Sequence, residues 1–453
     1  MEVLGISNLL AARLQMAISL GFHIVFAVIG IAMPLMMVIA EWQWLRTKHH
    51  MYRVLAQRWA KGTAILFAVG AVSGTVLSFE LGLLWPSFMA WAGSLIGPLF
   101  ALEGFAFFTE AIFLGIYLYG WDRISPRMHI FSGVIVVVSG VASAIFVVMV
   151  NGWMNSPTGF NLQNGQPVNI DPLAAMANPM GFPEVHHMIL AAFAATGFIV
   201  AGIHAWSLLR DPHNLFHQGA LGIAFLVGSV GAILQPISGD LLSRAVEKYN
   251  PIKLAAFEAH FHTTSGAAFQ LGGIPDEETG TVHYALEIPY ALSLLLHGDP
   301  YATVQGLDGF PRDEWPPVAV VHIAFQIMIG IGFLLAGIAI WGWWLLWRGQ
   351  GIWDSRPFLR ALVFAGPLGM VAIEAGWVVT EVGRQPWIIM GIMRTADAVT
   401  PMPGLLVPLV IYTGVYLVLG AIVVWLLLRH IGASPRITGE NYGLHKKEIH
   451  APS

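Results

Sequence analysis

Residues 318–347 read VAVVHIAFQIMIGIGFLLAGIAIWGWWLLW, thirty positions without a Lys, Arg, Asp or Glu. A helix needs about 20 predominantly apolar residues to cross the hydrocarbon core of a bilayer, so this stretch predicts a membrane span. Eight other stretches qualify, near residues 14–40, 62–82, 95–120, 129–151, 184–209, 219–238, 358–382 and 404–428. The expected fold is an all-α integral membrane protein with nine transmembrane helices. Composition agrees, with 56% of the 453 residues apolar and 11% charged, against roughly 25% charged in a soluble domain. The first stretch has no Lys or Arg before Arg13 and no small-residue cleavage site. It is expected to stay as a span rather than leave as a signal peptide.

Lys and Arg collect in cytoplasmic loops. With the N-terminus outside, the inward segments 41–61, 121–128, 207–218, 347–360 and the tail from 429 hold 15 of the 22 basic residues, and the outer loop 151–183 holds none. The expected orientation is N-terminus outside and C-terminus cytoplasmic. The chain then divides into spans 1–6 (residues 1–238), a long outer loop (239–317), spans 7–9 (318–430) and a cytoplasmic tail (431–453). The loop carries eleven carboxylates against four basic residues and is interrupted by IPDEETG (274–280) and an apolar run over 286–296. A connection that long without structure is uncommon, and the apolar run predicts a folded cover. There is no Cys, which excludes disulfides, thiolate metal sites and iron–sulfur clusters. Any metal must be held by His, Met or carboxylate. Net charge is −4, and no basic stripe alternates with aromatics, so nucleic acid is not a partner.

An ionisable group at membrane depth is costly unless paired, and marks a candidate site. His23 lies nine residues into the first span, His186 and His187 open the fifth, Met328 lies about ten residues into the seventh, and Glu381 closes the eighth. All fall in the expected outer half of the membrane, on four helices. His and Met are axial ligands of haem iron in electron-transfer proteins. Each taken alone has a plainer explanation, a hydrogen-bonded packing histidine or a core methionine; the shared depth, with 17 Trp and 26 Phe, favours haem. Glu103 and Glu110 in the third span are seven apart, as are Glu374 and Glu381 in the eighth. Seven residues is close to two helical turns, so each pair shares a face, suited either to passing protons or to a structural hydrogen bond between helices.

The strings GWVVTEVGRQPW (376–387), ALEGFAFFTE (101–110), YGWDR (119–123), RLQMAISLGFH (13–23) and KLAAFE (253–258) resemble subunit I of the cytochrome bd-type quinol oxidases over almost the whole chain. The resemblance implies an electrogenic quinol:oxygen oxidoreductase of the bacterial plasma membrane. Such an enzyme oxidises quinol at the outer side and reduces O2 to water with cytoplasmic protons, without pumping. The resemblance also implies His187 and Met328 as axial ligands of a low-spin haem b. His23 and Glu381 become ligands, one each, of a high-spin haem b and a haem d or further haem b. Trp377 would lie between haems, Arg384 at a propionate or haem edge, and Lys253 and Glu258 at the quinol. Glu103 and Glu110 would supply protons. Implied partners are a second membrane subunit, with a small single-helix subunit as a further candidate. Two departures stand out: Gln326 occupies the place where many members have Arg, and the outer loop is short, as in the branch that includes cyanide-insensitive oxidases. Outside this family, a proton-coupled transporter would account for the buried carboxylates but not for His187 with Met328. A haem scaffold without oxygen chemistry would not need Glu381 or GRQPW.

Overall fold

The computed structural model describes residues 6–430; the expected cytoplasmic tail, 431–453, lies outside them. Among the described residues nine helical segments are long and apolar enough to cross a membrane. In chain order the helices are α1 (Asn8–Thr47), α2 (His50–Leu84), α3 (Pro86–Tyr119), α4 (Pro126–Asn155), the short α5 (Pro172–Met176), α6 (Gly181–Arg210), α7 (Leu215–Tyr249), the short α8 (Pro251–Phe257) and α9 (Ala291–His297), α10 (Val318–Trp347), α11 (Arg356–Ala365), α12 (Leu368–Val382), α13 (Thr395–Ala398) and α14 (Leu406–His430). Helix starts follow local chemistry. Ser7 and Ser125 accept hydrogen bonds from the first-turn amides Leu10 N and Met128 N, and Pro86 and Pro126 stand at first helical positions, where the missing N–H costs nothing.

Two features differ from the hydropathy boundaries. α2 starts at His50 and α3 at Pro86, earlier than expected: α2 continues through Arg53, Arg58 and Lys61 beyond the hydrocarbon as long as its backbone bonds are made, and α3 begins at a proline suited to a first helical position. The eighth span is not continuous. It breaks between α11 and α12 at Gly366 and Pro367, where proline lacks the amide and crowds the preceding turn.

α6 sits at the centre of the bundle, and small residues bring its backbone against its neighbours. A Cβ at Gly197 would stand 2.3 Å from Gly228 Cα on α7, one at Gly231 would stand 2.8 Å from Ala194 N, and one at Gly369 of α12 would stand 2.6 Å from Ala195 Cα. Close approach of this kind is how membrane helices gain packing energy without a hydrophobic driving force between them. The histidines of α6 are thereby held at fixed distances from α7 and α12.

The segment between α7 and α10 folds over one end of the bundle. It contains α8, α9 and short antiparallel pairs, Phe269–Leu271 with Leu286–Ile288 and Ile274–Asp276 with Thr281–His283. α10 pins it down. Gln326 accepts from Gly272 N at 2.9 Å and donates to Gln270 O at 2.8 Å, and the ring nitrogens of the fully buried His322 lie 2.8 and 3.0 Å from the Phe257 and Gly272 carbonyls. Gln326, which stands where many members of the resembled family have Arg, here ties the cover to the span that carries Met328.

Candidate functional site

His186 and His187 are consecutive on α6, so their side chains diverge by about 100°. His186 is taken up by α7, with Nδ1 2.8 Å from Ser238 Oγ. His187 turns into a cavity of about 300 Å³, which Met328 of α10 also lines. Gln235 Nε2 approaches the His187 ring to 3.0 Å.

Glycine makes room for both candidate ligands. A Cβ at Gly239 would meet His187 Cε1 at 3.5 Å, and one at Gly376 would meet Met328 Sδ at 3.0 Å. Lys253 and Glu258 from the cover, Trp377 from α12 and Glu184 from α6 line the same space. Imidazole and thioether donors on different helices, glycines opposite both, and a wall otherwise mostly apolar fit a haem.

Lys253 and Glu258 are each only 3% exposed, so they do not form a surface ion pair. Lys253 Nζ donates to Asn155 Oδ1 and, at 3.1 Å, to the Thr380 carbonyl, while Glu258 Oε2 has no partner. The α8 turn therefore separates the two groups and presents both to one cavity. Burial pushes the Glu258 carboxyl up to about 8. The Lys253 ammonium is lowered, chiefly by burial and next by the Arg384 charge.

Arg384 is 2% exposed and donates to Glu381 through Nη2, leaving Nε and Nη1 buried without partners. Two idle nitrogens on a buried guanidinium suit an anionic group such as a propionate. Glu381 also accepts from Asn151. On α1, His23 Nδ1 lies 2.9 Å from Ser73 Oγ, and a Cβ at Gly74 would meet its Cε1 at 3.0 Å. His23 and Glu381 make no hydrogen bond with each other among the described residues. Trp377 stands between the two regions: it lines the His187 cavity and packs against a cluster containing Ile24 and Val28 of α1, with Nε1 unpaired.

Glu103 and Glu110 face α4. Ser143 Oγ donates to Glu103 at 3.3 Å, and Glu110, 5% exposed, lies against Gly140, where a Cβ would be 3.3 Å from its carboxylate oxygens. The seven-residue step on α3 thus meets small residues on α4. Glu374 behaves differently from its partner in spacing. Its Oε2 faces Gly21 of α1 at 3.3 Å from a built Cβ, and its Oε1 is unpaired.

The family model for cytochrome bd terminal oxidase subunit I matches residues 11–435. The chain belongs to the cytochrome bd terminal oxidase subunit I family. Among curated relatives, it is 38% identical over 434 residues to the putative cytochrome bd menaquinol oxidase subunit I of Bacillus subtilis, covering 94% of this chain and 97% of the relative. It is 26% identical over 456 residues to the cytochrome bd-II ubiquinol oxidase subunit 1 of Escherichia coli, covering 85% and 88%. The bd oxidase from Geobacillus thermodenitrificans superposes with a TM-score of 0.89 at 41% identity, covering 94% of this chain and 99% of that one. Membership in the cytochrome bd family implies haem cofactors and a quinol substrate, and places the chain as one membrane subunit of a larger oxidase.

Sequence reasoning about this cytochrome bd subunit missed the network behind Lys253. Asn155 Nδ2 donates to Glu184 at 3.1 Å and to Asn151 Oδ1 at 3.1 Å, so Lys253, Asn155, Glu184, Asn151, Glu381 and Arg384 form one connected polar set. The available signals were the spacing Asn151–Asn155 at i, i+4 and Glu184 one turn before His187. A polar residue at the edge of a span looks like a loop boundary in hydropathy, which hid both.

Proposed function

We propose that this chain is the haem-bearing subunit of a terminal respiratory oxidase that takes electrons from membrane quinol at the outer side and reduces O2 to water with protons drawn from the cytoplasm. The observation that carries the proposal is the joining of His187, Met328, Lys253 and Glu258 in one cavity, which puts a ligand pair for iron beside groups suited to quinol oxygens. In this proposal the N-terminus is outside, residues 239–317 form the quinol-binding cover between membrane domains 1–238 and 318–430, and 431–453 is the cytoplasmic tail. His187 and Met328 hold a low-spin haem b, while His23 and Glu381 each hold one of two high-spin haems, a haem b and a haem d or further haem b. Bound haem supplies one-electron transfer and oxygen reduction.

The protein's part is to hold, orient and move protons. Lys253 donates to a quinol oxygen and Glu258 accepts a quinol proton, which leaves on the outer side. Glu103 and Glu110 pass protons from the inner side. Release on one face and consumption from the other makes voltage without a pump. Arg384 holds a haem carboxylate and Trp377 spaces the two haem regions. A second membrane subunit completes the assembly, with a small single-helix subunit as a further candidate, and the short cover groups the chain with the short-loop branch.

Purified enzyme given quinol is expected to consume oxygen, and Glu258→Gln to slow that by about 100-fold or more, the usual worth of a positioned base. Haem reduction by dithionite should stay complete. Because Glu258 works as a base in its ionised form and burial holds its carboxyl up to about 8, the wild-type rate should climb as pH rises towards 8. The glutamine variant should show no such climb. Normal quinol kinetics in Glu258→Gln would reduce the loop to a cover.

A further inference from the structure

Near the loop end of the bundle four oxygens of α1, α2 and α14 are buried without partners: Gln15 Oε1, Ser19 Oγ, Glu80 Oε2 and Tyr416 OH. Their residues are at most 4% exposed. Gln15 Nε2 donates to the other Glu80 oxygen at 2.8 Å, and the Ser19 hydroxyl faces both Glu80 and Tyr416. Tyr416 in turn stacks on Phe22, ring centroids 4.6 Å apart. The titratable groups on this side are Glu80, Tyr416 and, one turn along α14, Tyr412, whose ring lies 6.4 Å from that of Tyr416. No ion pair to Glu80 occurs among the described residues.

This cluster lies one to two helical turns from His23. Ser19 precedes His23 by four residues on α1, about one turn, and Glu80 follows Ser73 by seven on α2, about two turns; Ser73 is the residue bonded to His23. A carboxylate in a membrane interior needs a compensating charge, and side chains offer Glu80 none. Iron held by His23 would offer one, and that charge falls by one unit when the iron is reduced.

We propose that Glu80 is a redox-linked proton site: ionised while the iron held by His23 is ferric, it takes one proton as that iron gains one electron from quinol, with Ser19 and Tyr416 relaying the proton. The proposal rests on His23 being a haem ligand. The balance is one electron to the iron and one proton to the Glu80 carboxylate, with no bond to iron made or broken. Gln15 holds the first carboxylate oxygen and leaves the second free to accept. Ser19 and Tyr416 each carry a rotatable O–H that can donate and accept in turn. Nothing in the proton route through Glu103 and Glu110 uses these residues.

The test uses the purified two-subunit enzyme with its haems. Reduced-minus-oxidised infrared spectra in H2O and D2O should show, in the wild type, a protonated-carboxyl band that appears on reduction and shifts with deuterium. The midpoint potential of the high-spin haems should fall with pH, by at most about 59 mV per unit for one proton per electron. Glu80→Gln should lose the band and flatten the slope with haem content unchanged, and Tyr416→Phe should keep the band but shift it. Retention of band and slope in Glu80→Gln overturns the proposal, as does an unshifted band in Tyr416→Phe should the first variant not assemble. His23→Ala separates the two levels of the argument: an unchanged haem spectrum in it overturns the ligand assignment itself, whereas haem loss in it beside an unaffected Glu80→Gln overturns only the proton site.

Discussion

Replacing His187 by Ala is expected to abolish the low-spin haem spectrum and to lower quinol-driven oxygen uptake by more than about a hundredfold, beyond the 10–100-fold cost usual for altering a group that merely supports a metal ligand. Met328→Leu should do the same with less risk to the fold, since a volume-conserving swap in a packed interior is well tolerated. The loss would follow from removing one of the two side chains that would hold the haem iron low-spin. His186→Ala is the control. It removes the 2.8 Å contact with Ser238 but no group from the cavity, and should keep the low-spin band. A normal low-spin band in His187→Ala would move the ligand elsewhere, with His186 first in line.

The second large effect belongs to α3. Glu110→Gln should slow oxygen reduction and the build-up of membrane voltage together, because in the proposed topology every proton that enters water crosses the interior through this helix. Glu103 lies about two turns, roughly 10 Å, from Glu110 and, in the proposed topology, nearer the proposed haem sites, so Glu103→Gln should slow turnover and also perturb the high-spin haem spectra. Both side chains meet small residues of α4, Ser143 and Gly140, and glutamine is nearly isosteric, so failure to assemble is not expected. Assembly with full haem and normal oxygen turnover in both variants would remove the proton route from α3. Purified enzyme in sealed vesicles, with oxygen uptake and voltage recorded together, makes the measurement.

How far the sequence reached depended on the kind of signal. Nine spans were legible because thirty uncharged residues such as 318–347 leave a helix little choice. The break at Gly366 and Pro367 was not, since two residues do not dent an apolar window. The cavity pair His187 and Met328 was legible as depth and residue type. The choice between His186 and His187 came only from the family pattern, and the observed divergence of the two rings, one to Ser238 and one to the cavity, supplies a physical reason for it. Lys253 and Glu258 were expected together at the quinol, yet they reach the cavity separately, because α8 directs the lysine to Asn155 and Thr380. Glu80 and Gln15 were invisible. They are 65 residues apart, and only the packing of α1 on α2 joins them.

The claim that everything rests on is that this chain holds haem on His187 and Met328 and passes quinol electrons to oxygen. A reduced-minus-oxidised absorption spectrum of the purified membrane complex, with quinol as the only reductant, tests it most directly. Haem bands from one low-spin and two high-spin centres are expected, with the long-wavelength band deciding whether haem d is among them, and with reoxidation on admitting air. A colourless protein, or haem that quinol cannot reduce, would contradict it.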